Sequence, residues 1–286
     1  MFIDAHSHGW QSDKNSAGKR IPPLRPMWIP GILTPEQYVE RIATLGIEKI
    51  VLLDPPDITF PMFQTFGNFV IPVPQVDIDN TSRDEINRLF DRGAVGIKFI
   101  APAKSYGDDS YLPLYEAVRN RMGLAIFHTG FLALQSYEPG GMRGRTIFTD
   151  ITNMRPAALD RIGRAFPELK ILMSHFGNPW WEEALVVIEN HANIYADLSG
   201  GTAFRRPMRM WTDLFAPDGI LNEKALGKLC FGVDGTHFEL DDRNDCFLKR
   251  MIDFHLRLMD SLNAPEELRE KVYRKNILKL TTPEKL

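Results

Sequence analysis

The chain opens MFIDAHSH, residues 1–8, and the spacing within it decides how the rest is read. On an extended strand, residues two apart point to one face. The pattern therefore predicts Phe2, Asp4, His6 and His8 on one side and Ile3, Ala5 and Ser7 on the other. A carboxylate and two imidazoles on one face of an apolar stretch need a polar partner to hold. Seven histidines in 286 residues would produce an H-x-H by chance in roughly one such chain in six, so residues elsewhere must decide what that partner is.

With 44% hydrophobic residues the chain can bury a large core, and its charge and Gly/Pro content fit neither a disordered nor a fibrous protein. A net charge of -3 with no Lys/Arg block gives no basic field for nucleic acid. No run approaches a membrane span, which is roughly 18 apolar residues. Two cysteines, Cys230 and Cys246, are too few for a disulfide framework and point to free thiols in a reducing cytoplasm. No linker or internal repeat marks a boundary, so one domain over residues 1–286 is expected.

Eight short β-branched runs alternate with stretches of helical length. They are FIDAH (2–6), KIVLLD (49–54), NFVIPVPQVD (68–77), AVGIKFI (94–100), GLAIFHTG (123–130), KILMSHFG (170–177), NIYADLSG (193–200) and LCFGVDG (229–235). Helix starts are signalled at Thr34-Pro35-Glu36 and at Thr81/Ser82 ahead of Asp84 and Glu85. LPLYEAVRNRM, RPAALDRIGRAF, PWWEEALVVIENH, FLKRMIDFHLRLMD and PEELREKVYRKNILKL supply further helices. Eight strands alternating with helices imply parallel pairing, and a closed (β/α)8 TIM barrel buries both strand faces without leaving an edge. An open doubly wound sheet is the alternative, but the Gly-rich nucleotide fingerprint it would carry is missing after the first strand.

In such a barrel the chemistry sits at the C-terminal strand ends. Four of the seven histidines, His6, His8, His128 and His175, lie there, as do Lys98 and Asp234. Neutral imidazole and carboxylate are ligands that zinc and similar divalent ions accept, and His6, His8, His128 and Asp234 form a sufficient shell with no thiolate. A lone strand histidine is more often a satisfied core residue; a cluster of them left unfilled would be costly to bury. Asp4 is expected beneath the ligands, accepting from an imidazole N–H. For Asp197 and Ser199 a structural role is at least as good as a catalytic one.

Taken in order, DAHSH, GIKF, FHTG, SHFG, FGVDG and the late KNILKL resemble the amidohydrolase superfamily, in particular its amidohydrolase-related branch of metal-dependent hydrolases and decarboxylases. The resemblance spans the chain and implies that His6, His8, His128 and Asp234 bind the metal. It makes His175 either a second-metal ligand or the acid/base and substrate-polarising group. Lys98 is the position that, when carboxylated, bridges two ions. The expectation here is one ion, most simply zinc, and an uncarboxylated Lys98 acting with Asp234 and His175 in catalysis.

The long loop after the first strand carries Arg20 and Arg25, and later loops carry Arg143, Arg145 and Arg205. Arginine's planar fork suits carboxylates, so these side chains point to a small acidic substrate. A solvated surface, or a subunit contact in a homo-oligomer, is the competing reading of each one. The function expected is hydrolysis of a carboxylate-bearing ester, lactone or amide by a metal-activated water. The alternative is nonoxidative decarboxylation of an aromatic or cyclic acid, which would use the same residues.

Overall fold

The computed structural model describes residues 1–8, 35–132, 150–236 and 242–282. Its strands are β1 (Phe2–His8), β2 (Ile47–Leu52), β3 (Val70–Pro72), β4 (Gln75–Asp77), β5 (Gly96–Ile100), β6 (Leu124–His128), β7 (Lys170–Ser174), β8 (Ile194–Asp197), β9 (Leu229–Cys230) and β10 (Gly235–Thr236). They pair in parallel in two rows, β10-β1-β2-β3 and β4-β5-β6-β7-β8-β9. Each expected strand is present. NFVIPVPQVD is divided into β3 and β4, and LCFGVDG into β9 and β10.

The first division follows from Pro72 and Pro74, which have no N–H to give to a ladder. Single backbone bonds carry the ring across both gaps. Val73 N–H donates to Leu52 O (3.1 Å), Gln75 N–H to Asp54 O (2.9 Å) and Lys98 N–H to Pro74 O (3.0 Å). At the other gap Ala5 N–H donates to Phe231 O (2.9 Å) and Asp234 N–H to His6 O (2.7 Å). The protein is an α/β TIM barrel.

Strand β1 departs from strict alternation. Its register against β2 shifts between Phe2 and Ile3 and again between Asp4 and Ser7, where three steps along β1 match two along β2. This bulge breaks the single face expected for Phe2, Asp4, His6 and His8. Phe2 stacks on Phe231 and Tyr273, Ile3 and Ala5 join a cluster made mainly of strand residues, and His6 and His8 turn toward Asp234. Bulges re-aim side chains in this way beside active sites.

The helices follow their start signals closely. Ser82 caps Arg83–Asp91 by accepting the Glu85 N–H at 3.2 Å, and one helix begins at Pro35. The helix Pro56–Phe66 had no signal, because Pro61 inside it reads as a breaker. The last helical stretch changes pitch at Lys271–Lys275 before Asn276–Thr281. There the Asn276 amide donates to the carbonyls of Gly227 and Leu229, tying the stretch to β9. Outward strand residues such as Phe99, Phe127 and Met173 pack with helix residues such as Leu89, Leu114 and Leu159 in one apolar layer. Leu124, Ile126, Leu172 and Cys230 fill the other side of the same strands. Packing both faces fixes the strand ends rigidly.

Candidate metal centre

His6 and His8 leave β1 with a carboxylate behind each ring. His6 Nδ1 lies 3.1 Å from Asp197 Oδ2, and His8 Nδ1 lies 3.3 Å from Asp54 Oδ1. A carboxylate oxygen only accepts, so a neutral ring with its N–H on that carboxylate has Nε2 bare. Both bare nitrogens face one atom, Asp234 Oδ1, at 3.4 Å from His6 and 3.3 Å from His8. With both rings neutral, three acceptors converge with no proton of their own, an arrangement that a bound cation relieves and that a proton on His8 relieves in its place. Bonds of about 2.0–2.1 Å at tetrahedral angles set neighbouring ligands roughly 3.3–3.4 Å apart. The donor atoms of His6, His8 and Asp234 all lie within 4.8 Å of one another. The trio fits a divalent ion in both chemistry and spacing.

The electrostatics agree. Burial alone would lower the pKa of His8, but hydrogen bonds with Asp234 and Asp54 outweigh it and raise it to about 9, so the site draws positive charge to this ring. Burial would raise Asp234, yet His175, His8 and His6 around it hold its carboxyl well below the usual range. His6 and His128 are pushed well below the ordinary histidine value, chiefly by burial, and His175 falls to about 4 for the same reason. Neutral rings are what a metal ligand or a proton acceptor requires.

His128, at the end of β6, does not join the compact trio. Its Nδ1 lies 3.2 Å from His175 Nε2 and its Nε2 lies 3.3 Å from the Phe131 carbonyl. The ring centroids of His128 and of His6 each lie 4.6 Å from that of His175. His175 Nδ1 lies 4.0 Å from Asp234 Oδ2, the oxygen turned away from His6 and His8. Both His175 (φ 62°) and Asp234 (φ 57°) hold left-handed backbone, a conformation that costs of order 1–3 kcal/mol in a non-glycine residue and that clusters at functional sites. Gly200 (φ 89°) completes the corner, since a Cβ there would stand 3.3 Å from Asp234 Oδ2 and 3.4 Å from His175 Nδ1.

Lys98 is 1% exposed, neither reaching solvent nor sitting on an open rim. Its ammonium donates to Ser174 Oγ at 2.6 Å. Burial lowers its pKa to about 8 against the opposing pull of Asp197 and Asp234. Asp4 does lie under the ligands as an acceptor, but through the backbone N–H groups of His6 and Val233, each at 2.9 Å. The residue behind the His6 ring is Asp197, and the one behind the His8 ring is Asp54. Asp54 carried no signal beyond its place at the end of the second strand. Ser199 Oγ donates to Asp197 Oδ1 and lies 2.9 Å from His175 Nδ1 and 3.2 Å from His6 Nδ1. Asp197, Ser199 and Asp54 are therefore built into the site.

Arg205 is exposed, with its guanidinium 5.9 Å from the Phe204 ring, and it is not drawn into this cluster. Arg20, Arg25, Arg143 and Arg145 lie outside the described residues. Cys230 is a buried free thiol. Among the described residues, no helix is long and apolar enough to cross a membrane.

Solved structures with the same architecture cover nearly the whole chain. An uncharacterized TIM-barrel protein from Bordetella bronchiseptica is 20% identical, with a TM-score of 0.62, over 86% of this chain and 82% of its own. A probable 2-pyrone-4,6-dicarboxylic acid hydrolase from Acinetobacter baumannii is 14% identical, with a TM-score of 0.59, over 98% of each chain. The 2,6-dihydroxybenzoate decarboxylase from Rhizobium is 13% identical, with a TM-score of 0.62, also over 98% of each chain. No curated protein sequence matches. The amidohydrolase family model matches residues 60–280, which takes in Lys98, His128, His175 and Asp234. His6 and His8 precede the matched segment, and the barrel brings them to it. The chain belongs to the amidohydrolase family.

Proposed function

We propose that the protein is a metal-dependent hydrolase of a small, carboxylate-bearing ester, lactone or amide. The observation that carries this reading is the division of labour across Asp234. One oxygen faces the bare nitrogens of His6 and His8, while the other faces His175. His6, His8 and Asp234, joined by His128, would hold one ion, and zinc suits a set of imidazoles and a carboxylate without thiolate. When bound, such an ion polarises a carbonyl oxygen and makes neighbouring water more acidic.

Asp234 Oδ2 is then the acceptor for the attacking water's proton, and His175 is the second acid–base group beside it. Lys98, uncarboxylated, has one of its three N–H donors on Ser174 and offers the others to an oxygen of the substrate. The carboxylate in the proposed substrate class agrees with the acids named for the hydrolase and decarboxylase of like fold.

The test is a panel of cyclic and aromatic carboxylates with ester, lactone or amide bonds, given to zinc-loaded enzyme, with acid release and CO2 release followed together. Acid release without CO2 supports hydrolysis. CO2 release from a carboxylate with no acid produced would replace it with decarboxylation.

A further inference from the structure

Four polar contacts run in a row through the buried side chains. They join Asp197 Oδ1 to Ser199 Oγ, Ser199 Oγ to His175 Nδ1 (2.9 Å), His175 Nε2 to His128 Nδ1 (3.2 Å), and His128 Nε2 to the Phe131 carbonyl (3.3 Å). Both ends of the row only accept. Between them one hydroxyl and two neutral imidazoles supply three protons for four links, so one link has none.

The geometry places the first two protons of the row. Ser199 Oγ makes its closest approach to Asp197 Oδ1, and a carboxylate oxygen has nothing to donate, so the hydroxyl proton lies in that link. Asp197 is itself pinned there, accepting the backbone N–H of His175 at 2.9 Å and of Ser199 at 3.1 Å. With its proton committed, Ser199 Oγ can only accept from His175, whose N–H is then on Nδ1. His175 Nε2 is then the bare nitrogen of that ring, and the link without a proton is one of the two longer ones on either side of His128, at 3.2 Å and 3.3 Å. The opposite direction would press two proton-free oxygens, Ser199 Oγ and Asp197 Oδ1, together in a buried site, which is the costlier arrangement.

We propose that Ser199, backed by Asp197, is a positioning residue that holds the His175 proton on Nδ1, so that this ring presents an unprotonated Nε2. For His175 it means that, once a substrate displaces His128 from Nε2, the ring accepts a proton and does not donate one. This consequence rests on the acid–base role proposed for His175, whereas the proton positions do not.

Histidine-selective 15N labelling of the zinc-loaded full chain, with long-range proton–nitrogen correlation spectra, reads each tautomer directly. The His175 signals are assigned by their loss in His175→Gln. The parent is expected to show His175 protonated on Nδ1. In Ser199→Ala that preference is lost and kcat falls about 10- to 100-fold with KM little changed, the scale of an outer hydrogen-bond partner. Ser199→Thr, which keeps the hydroxyl, restores both. A parent in which His175 is protonated on Nε2 overturns the proposal even if no variant folds. So does a Ser199→Ala protein with unchanged tautomer and kcat. The parent spectrum needs no substrate, so an Nδ1–H ring in a protein that hydrolyses nothing supports this inference while overturning the hydrolase reading.

Discussion

Asp54 Oδ1 stands 3.3 Å from Nδ1 of His8, on the opposite side of the ring from Asp234. A metal-bound histidine that gives its other N–H to a carboxylate is fixed in tautomer and orientation and becomes a better donor. Asp54 is itself buried, and its backbone carbonyl accepts from Thr59 Oγ1 at 2.7 Å and from the Gln75 N–H at 2.9 Å. Asp54→Ala is therefore expected to weaken zinc binding about 10- to 100-fold. Competition with a chromophoric chelator measures this, and an unchanged affinity would mean that His8 is oriented without Asp54.

Lys98→Ala is expected to leave close to one metal per chain while lowering kcat/KM roughly 10- to 100-fold, the scale of a lost hydrogen bond from a charged donor. Elemental analysis beside kinetics separates the two effects. Two metals in the parent and one or none in the variant would instead identify Lys98 as a bridging, carboxylated residue.

His255 gives the pH dependence of stability a definite sign. Its ring is fully buried against Phe231 and Phe254. The carbonyls of Leu198 and Gly232 lie nearby, but neither ring nitrogen meets a partner in hydrogen-bonding geometry. Burial lowers its pKa from 6.5 to about 4. The folded ring thus binds its proton more weakly than the unfolded chain does, and protons favour unfolding. Its stabilising contribution is complete above the unfolded value, declines as the pH falls from about 6.5, and levels off below about 4. The whole step is on the order of 3 kcal/mol. Urea midpoints between pH 7.5 and 4 should fall less steeply in His255→Phe than in the parent; equal slopes would rule the ring out as the source.

Gly130 follows the His128 strand with φ 88°, and a Cβ there would stand 1.9 Å from the Asn178 carbonyl oxygen. Neither backbone can yield easily, since Phe131 N–H donates to that same oxygen at 2.9 Å and Gly130 N–H to Met154 O at 3.1 Å. Gly130→Ala is expected to destabilise the fold by about 2–4 kcal/mol, the range of a forced backbone shift at a special φ. Chemical denaturation measures it, and a loss below about 0.5 kcal/mol would show that the two loops separate freely.

Much of the fold was legible because apolar runs and caps are local signals: eight strands, and helices such as Arg83–Asp91 with its Ser82 cap. The meeting of His6, His8, Lys98, His128, His175 and Asp234 at one end of the barrel was legible because strand ends share one rim. What escaped depends on contacts distant in the chain. Asp54 looks like the tail of a strand until the barrel sets it 3.3 Å from a residue 46 positions earlier. The bulge in β1 is a matter of register with β2, which no pattern inside MFIDAHSH encodes. The helix Pro56–Phe66 was hidden by prolines that its packing tolerates, with Phe60 and Met62 buried.

Asp4 accepts the backbone N–H of Val233, a residue 229 positions away, and so locks the first strand to the last just beneath His6 and Asp234. On the ribosome this closure has to wait until the last strand has been made. At about 5–20 residues per second, His6 and His8 wait on the order of ten to fifty seconds for Asp234 to be synthesised. Throughout that interval the nascent chain holds two imidazoles without their carboxylate. A polypeptide that ends anywhere before Asp234 lacks one member of the trio.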